Sequence, residues 1–462
     1  MLGLCALAGM GSGAFAVVSS RESTPEAAAA AEPATPVFSL RRVAGAVFRT
    51  VAAANLGIAL DGWLAGAEDA CVSVRDPDGR VIYQQGAGKA LIPASNMKVL
   101  TAAVALTRIG PDFRYTTPVR AASAPGPDGS VGDLWLVGVG DPLLATAEFA
   151  AIAGWLERPR QATPLEGLAD RLVDAGVRRV GRLLGDESRY DAVRYVPSWA
   201  PHYATDPQIG PQSALQLNGG FTRWRPGFVA QTRPATDAAG VLAGLLRARG
   251  VAVGGVGEGR APEGGVALAQ IESPTMADVV GVMLRESDNL VAELVVKELG
   301  ARFGSGGTTA AGLAVERAVA AEMGWPVEAL TASDGSGLDR GNRLSCGLVD
   351  AVLASSGGAG GPLGKGMAAA GATGTLVARF LNSPANGKVK AKTGSLGGVT
   401  SLSGWAADQR GGQLQFAMLA NGVATEAAGF GVQNRLVNVL VGYPQAPPPV
   451  SLEPRPIRPP PG

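Results

Sequence analysis

Pro93-Ala94-Ser95-Asn96-Met97-Lys98-Val99-Leu100-Thr101-Ala102-Ala103-Val104-Ala105-Leu106 is the stretch on which the reading of this chain turns. Met97, Leu100 and Val104 recur at helical spacing and Pro93 with Ser95 marks a start, so a helix is expected here with a serine at its beginning. Positions three apart share a helix face, which brings Ser95 Oγ and Lys98 Nζ within hydrogen-bonding reach. Taken alone, such a serine is a helix cap. The lysine opens a second reading. Of 40 basic residues only seven are lysine, at positions 89, 98, 297, 365, 388, 390 and 392. The chain uses arginine wherever a generic positive charge will serve, and of the two only lysine gives up its proton when buried. A neutral Lys98 can take the Ser95 proton, and a helix start offers unpaired N–H groups to a developing oxyanion.

Two more short stretches join it. Ser287-Asp288-Asn289 lies between a helical run opened by Ser273-Pro274 and ending at Leu284, and another from Asn289 to Leu299. The second is expected to close at Gly300 and to gain support from Glu293 and Lys297, four residues apart. Lys392-Thr393-Gly394 ends a strand-like run, followed by two more over Thr400 to Ala406 and Gln413 to Ala420 and a helical stretch to about Val441. Each has a plain alternative. Ser287 to Asn289 reads in isolation as a polar link, and Lys388, Lys390 and Lys392 as the solvated face of an edge strand. That face accounts poorly for Lys392, because Thr393-Gly394 follows directly. In the chemical reading, Lys392 places positive charge near Lys98, favouring the neutral amine, and attracts a substrate carboxylate that Thr393 can hydrogen-bond. Gly394 leaves room for substrate backbone to lie along the strand, and a second oxyanion N–H is expected at Ser395.

Composition excludes several other classes. A formal charge of +1 over 462 residues gives no basic field for nucleic acid and no polybasic membrane patch. The single histidine, His202, sits in Trp199-Ala200-Pro201-His202-Tyr203 and reads as a structural loop. The cysteines, Cys5, Cys71 and Cys346, are too scattered for a zinc cluster. Cys71 and Cys346 either pair in an oxidising compartment or stay as two buried thiols.

S-x-x-K, S-D-N and K-T-G, once each and in order, are the set carried by penicillin-binding proteins and class A β-lactamases, a match by recognition and not by deduction. Spacing narrows it. With 188 residues between Lys98 and Ser287, the chain resembles the class C penicillin-binding proteins, the D-alanyl-D-alanine carboxypeptidase/endopeptidase family. Leu136-Val-Gly-Val-Gly-Asp141-Pro142, Tyr195-Val-Pro-Ser-Trp199 and Ser333-Asp-Gly-Ser-Gly-Leu338, with Arg340 and Asn342 after it, look like that group too. The resemblance spans roughly residues 55 to 443. It implies an α/β (α+β) fold: a transpeptidase-like domain with a central antiparallel sheet flanked by helices, interrupted by a large insert of mixed α/β. It further implies catalysis by Ser95, Lys98, Ser287, Asn289 and Lys392, with Ser287 relaying a proton and Asn289 holding the substrate amide. Thr393, Gly394 and Ser395 would bind substrate. The expected partners are peptidoglycan stem peptides and, as inhibitors, β-lactams acylating Ser95, with no cofactor or metal. A β-lactamase or esterase on this scaffold, and a non-catalytic wall-binding scaffold, are the alternatives. The Asp334 to Gly337 loop either lines the cleft or is only a tight turn.

The resulting division is an export or membrane segment over 1–19, an Ala/Pro-rich linker over 20–50, and the two transpeptidase-like parts over 51–120 and 273–443. The insert takes 121–272 and a proline-rich tail 444–462. An exported, extracytoplasmic protein is expected, anchored or not by its N-terminal segment.

Overall fold

The strand Gln413–Asn421 is buried on both faces, and its alternation decides how the layers stack. Leu414, Phe416, Met418 and Ala420 point into one apolar cluster, which they share with Ala52, Leu56 and Leu60 of the helix Ala44–Leu64 and with Leu436 and Leu440 of the helix Glu426–Val441. Ala417 and Leu419 point the other way, into a cluster with Met97, Leu100, Val280 and Val295. Side chains alternate across a strand, so a run apolar at nearly every position requires helices on both sides.

This computed structural model describes residues 44–64, 69–152, 160–224 and 227–444. The stretch read as an export segment, most of the linker, and the proline-rich tail after its first residue lie outside them. Residues 44–50, within the stretch read as linker, are the start of the helix Ala44–Leu64. One unit of the chain is Arg49–Pro447; the other, Met1–Phe48 with Pro448–Gly462, is described only over residues 44–48.

The central sheet has six strands in the order Ala368–Ala369, Val389–Leu396, Val399–Ala407, Gln413–Asn421, Asp69–Arg75, Val81–Gln85, all antiparallel. The two ends of the sequence therefore meet within it: Asp69–Arg75 pairs with Gln413–Asn421 in continuous register, Cys71 opposite Leu419. A disulfide joins Cys71 to Cys346, the first residue of the helix Cys346–Ala354, across 275 residues. Closing a loop of that length removes about 5 kcal/mol of chain entropy from the unfolded state.

A second, mixed sheet of five strands has the order Ala252–Glu258, Arg179–Asp186, Ser130–Val137, Thr116–Ala121, Val266–Glu272. Its first two pairings are parallel and the other two antiparallel. The helices Glu166–Asp174 and Pro234–Ala248 bury Leu168, Leu172, Leu242 and Leu246 against it in a separate core. The antiparallel sheet flanked by helices, interrupted by a mixed α/β region, is the fold expected from the resemblance.

Two helical expectations need correction. The helix expected from Ser273 begins at Met276, capped by Thr275 in a reciprocal box with Asp278. The helix expected to stop at Gly300 runs Asn289–Phe303. Gly300 serves close approach: a Cβ there would lie 2.6 Å from Gly306 O and 2.8 Å from Gly312 N, where the helix Thr309–Glu322 crosses. Glu293 and Lys297 do not form the supporting surface pair, because both are wholly buried and have other partners. Lys297 Nζ is paired with Asp191 at 2.5 Å and donates to Val193 O at 2.8 Å.

Candidate active site

Ser95 stands on a single 3₁₀ turn, Ala94–Asn96, that feeds the helix Met97–Arg108. Its hydroxyl makes no capping bond, so the plain reading of Ser95 as a cap fails. The turn is strained, with Ala94 at φ 47°. It is held from beneath by Asn96, whose Nδ2 donates to Ser401 Oγ at 2.7 Å and to Lys392 O at 3.3 Å while its Oδ1 accepts from Ser403. Ser401 Oγ in turn donates to Pro93 O at 2.7 Å. Asn96 thus ties the serine turn to the strands Val389–Leu396 and Val399–Ala407, a role the sequence did not announce.

Lys98 is fully buried, and its Nζ donates to Ser95 Oγ at 3.0 Å, Asn289 Oδ1 at 2.7 Å and Ser336 O at 2.6 Å. Burial lowers its pKa to about 8, while the charges of Asp334, Glu293 and Asp288 act in the opposite sense. Lys392 is also fully buried, with Nζ donating to Ser287 Oγ at 2.9 Å and Thr393 O at 2.7 Å. Its pKa is held well below the usual lysine range, by burial first and by the Lys98 charge second. Lys390 on the same strand and Lys388 just before it are exposed, as the edge-face reading required of them.

The structure brings all three motifs together. Ser95, Ser287, Asn289, Thr393, Gly394 and Ser395 line one cleft of about 410 Å³. Ser287 adopts φ 58°, a conformation costly for a residue with a Cβ, between the helices Met276–Arg285 and Asn289–Phe303. Arg160, from the inserted region, is bonded to Asp288 at 2.5 Å and lies 4.0 Å from Glu286, so it grips both neighbours of Ser287.

Two of the expected site residues carry contacts that the motifs do not announce. Asn289, given to the substrate amide by resemblance, accepts from Lys98 Nζ at Oδ1 and donates from Nδ2 to Gln208 O at 3.0 Å, so both ends of its amide are bonded within the protein. Gly394 lines the cleft, and its missing side chain also answers to packing on the far side of the strand. A Cβ there would lie 2.1 Å from Ser401 Oγ and 3.1 Å from Ser95 N, so its bareness lets the strand close onto the serine turn. Thr393 donates to Thr375 Oγ1 at 2.9 Å, pairing two hydroxyls at the cleft wall.

The Asp334 to Gly337 loop is both turn and wall. Asp334 accepts from Gly337 N, Asp339 N and Asn342 Nδ2, each at 2.7 Å, and from Trp199 Nε1 at 2.8 Å. This one buried carboxylate joins the Ser333 to Leu338 and Tyr195 to Trp199 stretches. Gly337, at φ 86°, is pressed on Ala94, where a Cβ would lie 1.9 Å from the carbonyl oxygen. Glu293 Oε1 accepts from Gly335 N at 3.1 Å and Ser336 N at 2.8 Å, and burial raises its pKa to about 8. No short motif marks Glu293, Arg160 or Asn96; only their burial and partners do.

A cleft serine bonded to one buried amine, with a second serine in the same cleft bonded to another buried amine from an antiparallel sheet, is the arrangement of the serine peptidases of the penicillin-binding class. The chain belongs to the D-Ala-D-Ala carboxypeptidase 3 (S13) family, whose model matches residues 54–225 and 222–441. It is 30% identical over 441 residues to a D-alanyl-D-alanine carboxypeptidase of an Actinomadura species, covering 78% of each chain. It is 31% identical over 360 residues to a carboxypeptidase DacB of Mycolicibacterium smegmatis, covering 75% of each. Among solved structures, penicillin binding protein 4 of Haemophilus influenzae matches with a TM-score of 0.70 at 20% identity, over 85% of this chain and 99% of that one. A predatory peptidoglycan endopeptidase of Bdellovibrio bacteriovorus matches with a TM-score of 0.51 at 16% identity, over 80% and 90%. At those identities the structural matches speak for the fold. The chain is a serine-type D-alanyl-D-alanine carboxypeptidase.

Proposed function

We propose that Ser95 is the nucleophile of this enzyme, that Lys98 is its base, and that the substrate is the D-Ala-D-Ala end or the D-amino-acid crosslink of a peptidoglycan stem peptide. The observation that carries this is the 3.0 Å bond between Ser95 Oγ and the buried Lys98 Nζ, open on the cleft side. Ser95 Oγ attacks the carbonyl carbon of the penultimate D-residue as its proton passes to Lys98, and the oxyanion is received by the N–H groups of Ser95 and Ser395. Collapse expels the leaving amine, which takes a proton relayed by Ser287, and water then hydrolyses the ester. The leaving group's carboxylate is bound by Thr393 and Lys392. Its arrival favours a charged Lys392, and because like charges in one dry cleft repel, it also favours a neutral Lys98. Asn289 keeps Lys98 directed at the serine. β-lactams would acylate Ser95 by the same attack.

The inserted region, expected over 121–272 but taking the whole strand Thr116–Ala121 into its sheet, supplies one wall of the cleft between the two transpeptidase-like parts expected over 51–120 and 273–443. The work is extracytoplasmic, where the wall lies, and the Cys71 to Cys346 bond suits an oxidising compartment. No helix among the described residues is long and apolar enough to cross a membrane.

The reading is tested with a fluorescent penicillin. The wild-type chain is expected to label covalently and Ser95→Ala to lose all label while keeping its circular dichroism spectrum. Label retained by that variant removes Ser95 as nucleophile, and muropeptides left undigested by the wild type remove the substrate.

A further inference from the structure

Beyond Thr393 the cleft continues along a wall made by Thr375, Arg379, Glu426 and Phe430. Arg379 stands four residues after Thr375, whose hydroxyl meets that of Thr393. Its guanidinium is sandwiched by rings, 4.2 Å from the centroid of Phe430 and 5.0 Å from that of Phe380. Among the described residues both of its hydrogen bonds go to neutral amide oxygens: Nη1 to Gln433 Oε1 at 3.1 Å and Nη2 to Asn434 Oδ1 at 2.7 Å. Among the described residues it forms no ion pair within 4.0 Å. Glu426 on the same wall is exposed and acts on it only at longer range. Phe380, the residue after it, is held at φ 66°, a strained conformation for an aromatic residue.

A guanidinium has five donors in a fixed fork and takes a carboxylate in preference to an amide. This one is stiffened by two rings and two side-chain amides, is partly removed from water, and lines the catalytic cleft with no carboxylate of the described residues within ion-pair distance. Orientation by neutral groups alone leaves its charge for whatever enters the cleft. We propose that Arg379 and Phe430 form a leaving-group subsite that binds a second carboxylate, one carried on the side chain of the departing D-residue beyond the α-carboxylate held at Thr393. Phe430 covers the methylene stem and Arg379 takes the acid. The inference rests on the reading of Ser95 and Thr393 above, and it narrows the substrate class to stems whose leaving group is acidic and longer than D-alanine, as the acceptor stem of a crosslink is.

The test uses the full chain and two isosteric peptides, an acyl-L-Lys-D-Ala donor ending in D-Glu or in D-Gln. The measured quantity is the ratio of their kcat/KM values. The wild type is expected to prefer D-Glu by about tenfold, the size of one partly buried charge pair. The preference should vanish in Arg379→Gln and survive in part in Arg379→Lys. A wild-type ratio near one overturns the proposal without any variant. So does a ratio that Arg379→Gln, still labelled by penicillin and hence folded, leaves unchanged. If the wild type takes penicillin on Ser95 and cleaves D-Ala-D-Ala peptides but shows no preference, only the subsite falls. If it does neither, the reading of Ser95 falls and the subsite with it.

Discussion

Lys98 and Lys392 are buried alike behind the lining of one cleft, yet their surroundings have opposite character. Lys98 lies among the charges of Asp334, Glu293 and Asp288 and is bonded to three oxygens. Among the described residues Lys392 meets only a hydroxyl and a carbonyl, and the one charge acting on it is that of Lys98. The difference teaches that the cleft is asymmetric before substrate arrives. With carboxylates on one side only, the free enzyme keeps its proton on Lys98, and Lys392 becomes the better cation when an external carboxylate joins it. A base that is neutralised as the correct anion docks would commit the serine only to substrates that carry that anion.

The comparison breaks most visibly at Lys98. Lys98→Met keeps the volume and removes the base, and acylation by penicillin is expected to slow by about 10³- to 10⁴-fold. A time course of labelling measures it, and a variant within tenfold of the wild type would place the base elsewhere. Lys392→Gln should cost less, about 10- to 100-fold in kcat/KM for a D-Ala-D-Ala peptide, because it removes the anchor for a carboxylate and not the proton acceptor. Its loss should be smaller with an ester substrate whose leaving group has no carboxylate. Equal losses on both substrates would mean that Lys392 acts on the chemical step and not through the leaving group.

Much of this site was legible in the sequence, and what was not has one cause. Ser95, Lys98, Ser287, Asn289 and Lys392 stand in short motifs whose spacing local geometry fixes, and the structure brings all five to one place. The strand Gln413–Asn421 was legible because its apolar run is long and bounded by glycine turns. The extent of the helix Asn289–Phe303 was not, because a glycine at a helix crossing reads in sequence like a glycine at a helix end. Glu293 and Lys297 looked like a surface pair for a similar reason. Spacing four apart reports only a shared face, and the partners that claim these residues, the Ser336 loop and Asp191, come from far along the chain. Arg379 was silent altogether, since nothing local separates it from the other arginines of this chain.

Glu293 allows the finest cut. Lys98 works as a base only when neutral, so activity should rise with pH through its pKa, near 8. Glu293, pushed up to about 8 by burial, ionises over the same range, and the carboxylate it forms holds the proton on its neighbour. Glu293→Gln keeps an oxygen for the N–H groups of Gly335 and Ser336 but never acquires the charge. The acid limb of the kcat/KM profile should therefore move to lower pH, by less than about one on the pH scale. Glu293→Ala also removes the acceptor, frees the loop whose Ser336 carbonyl receives Lys98, and should lower activity at every pH. A limb that moves upward in Glu293→Gln would mean that the charge beside Lys98 favours the neutral amine, which is the reverse of what its carboxylate neighbours impose and would dissolve the contrast between the two lysines.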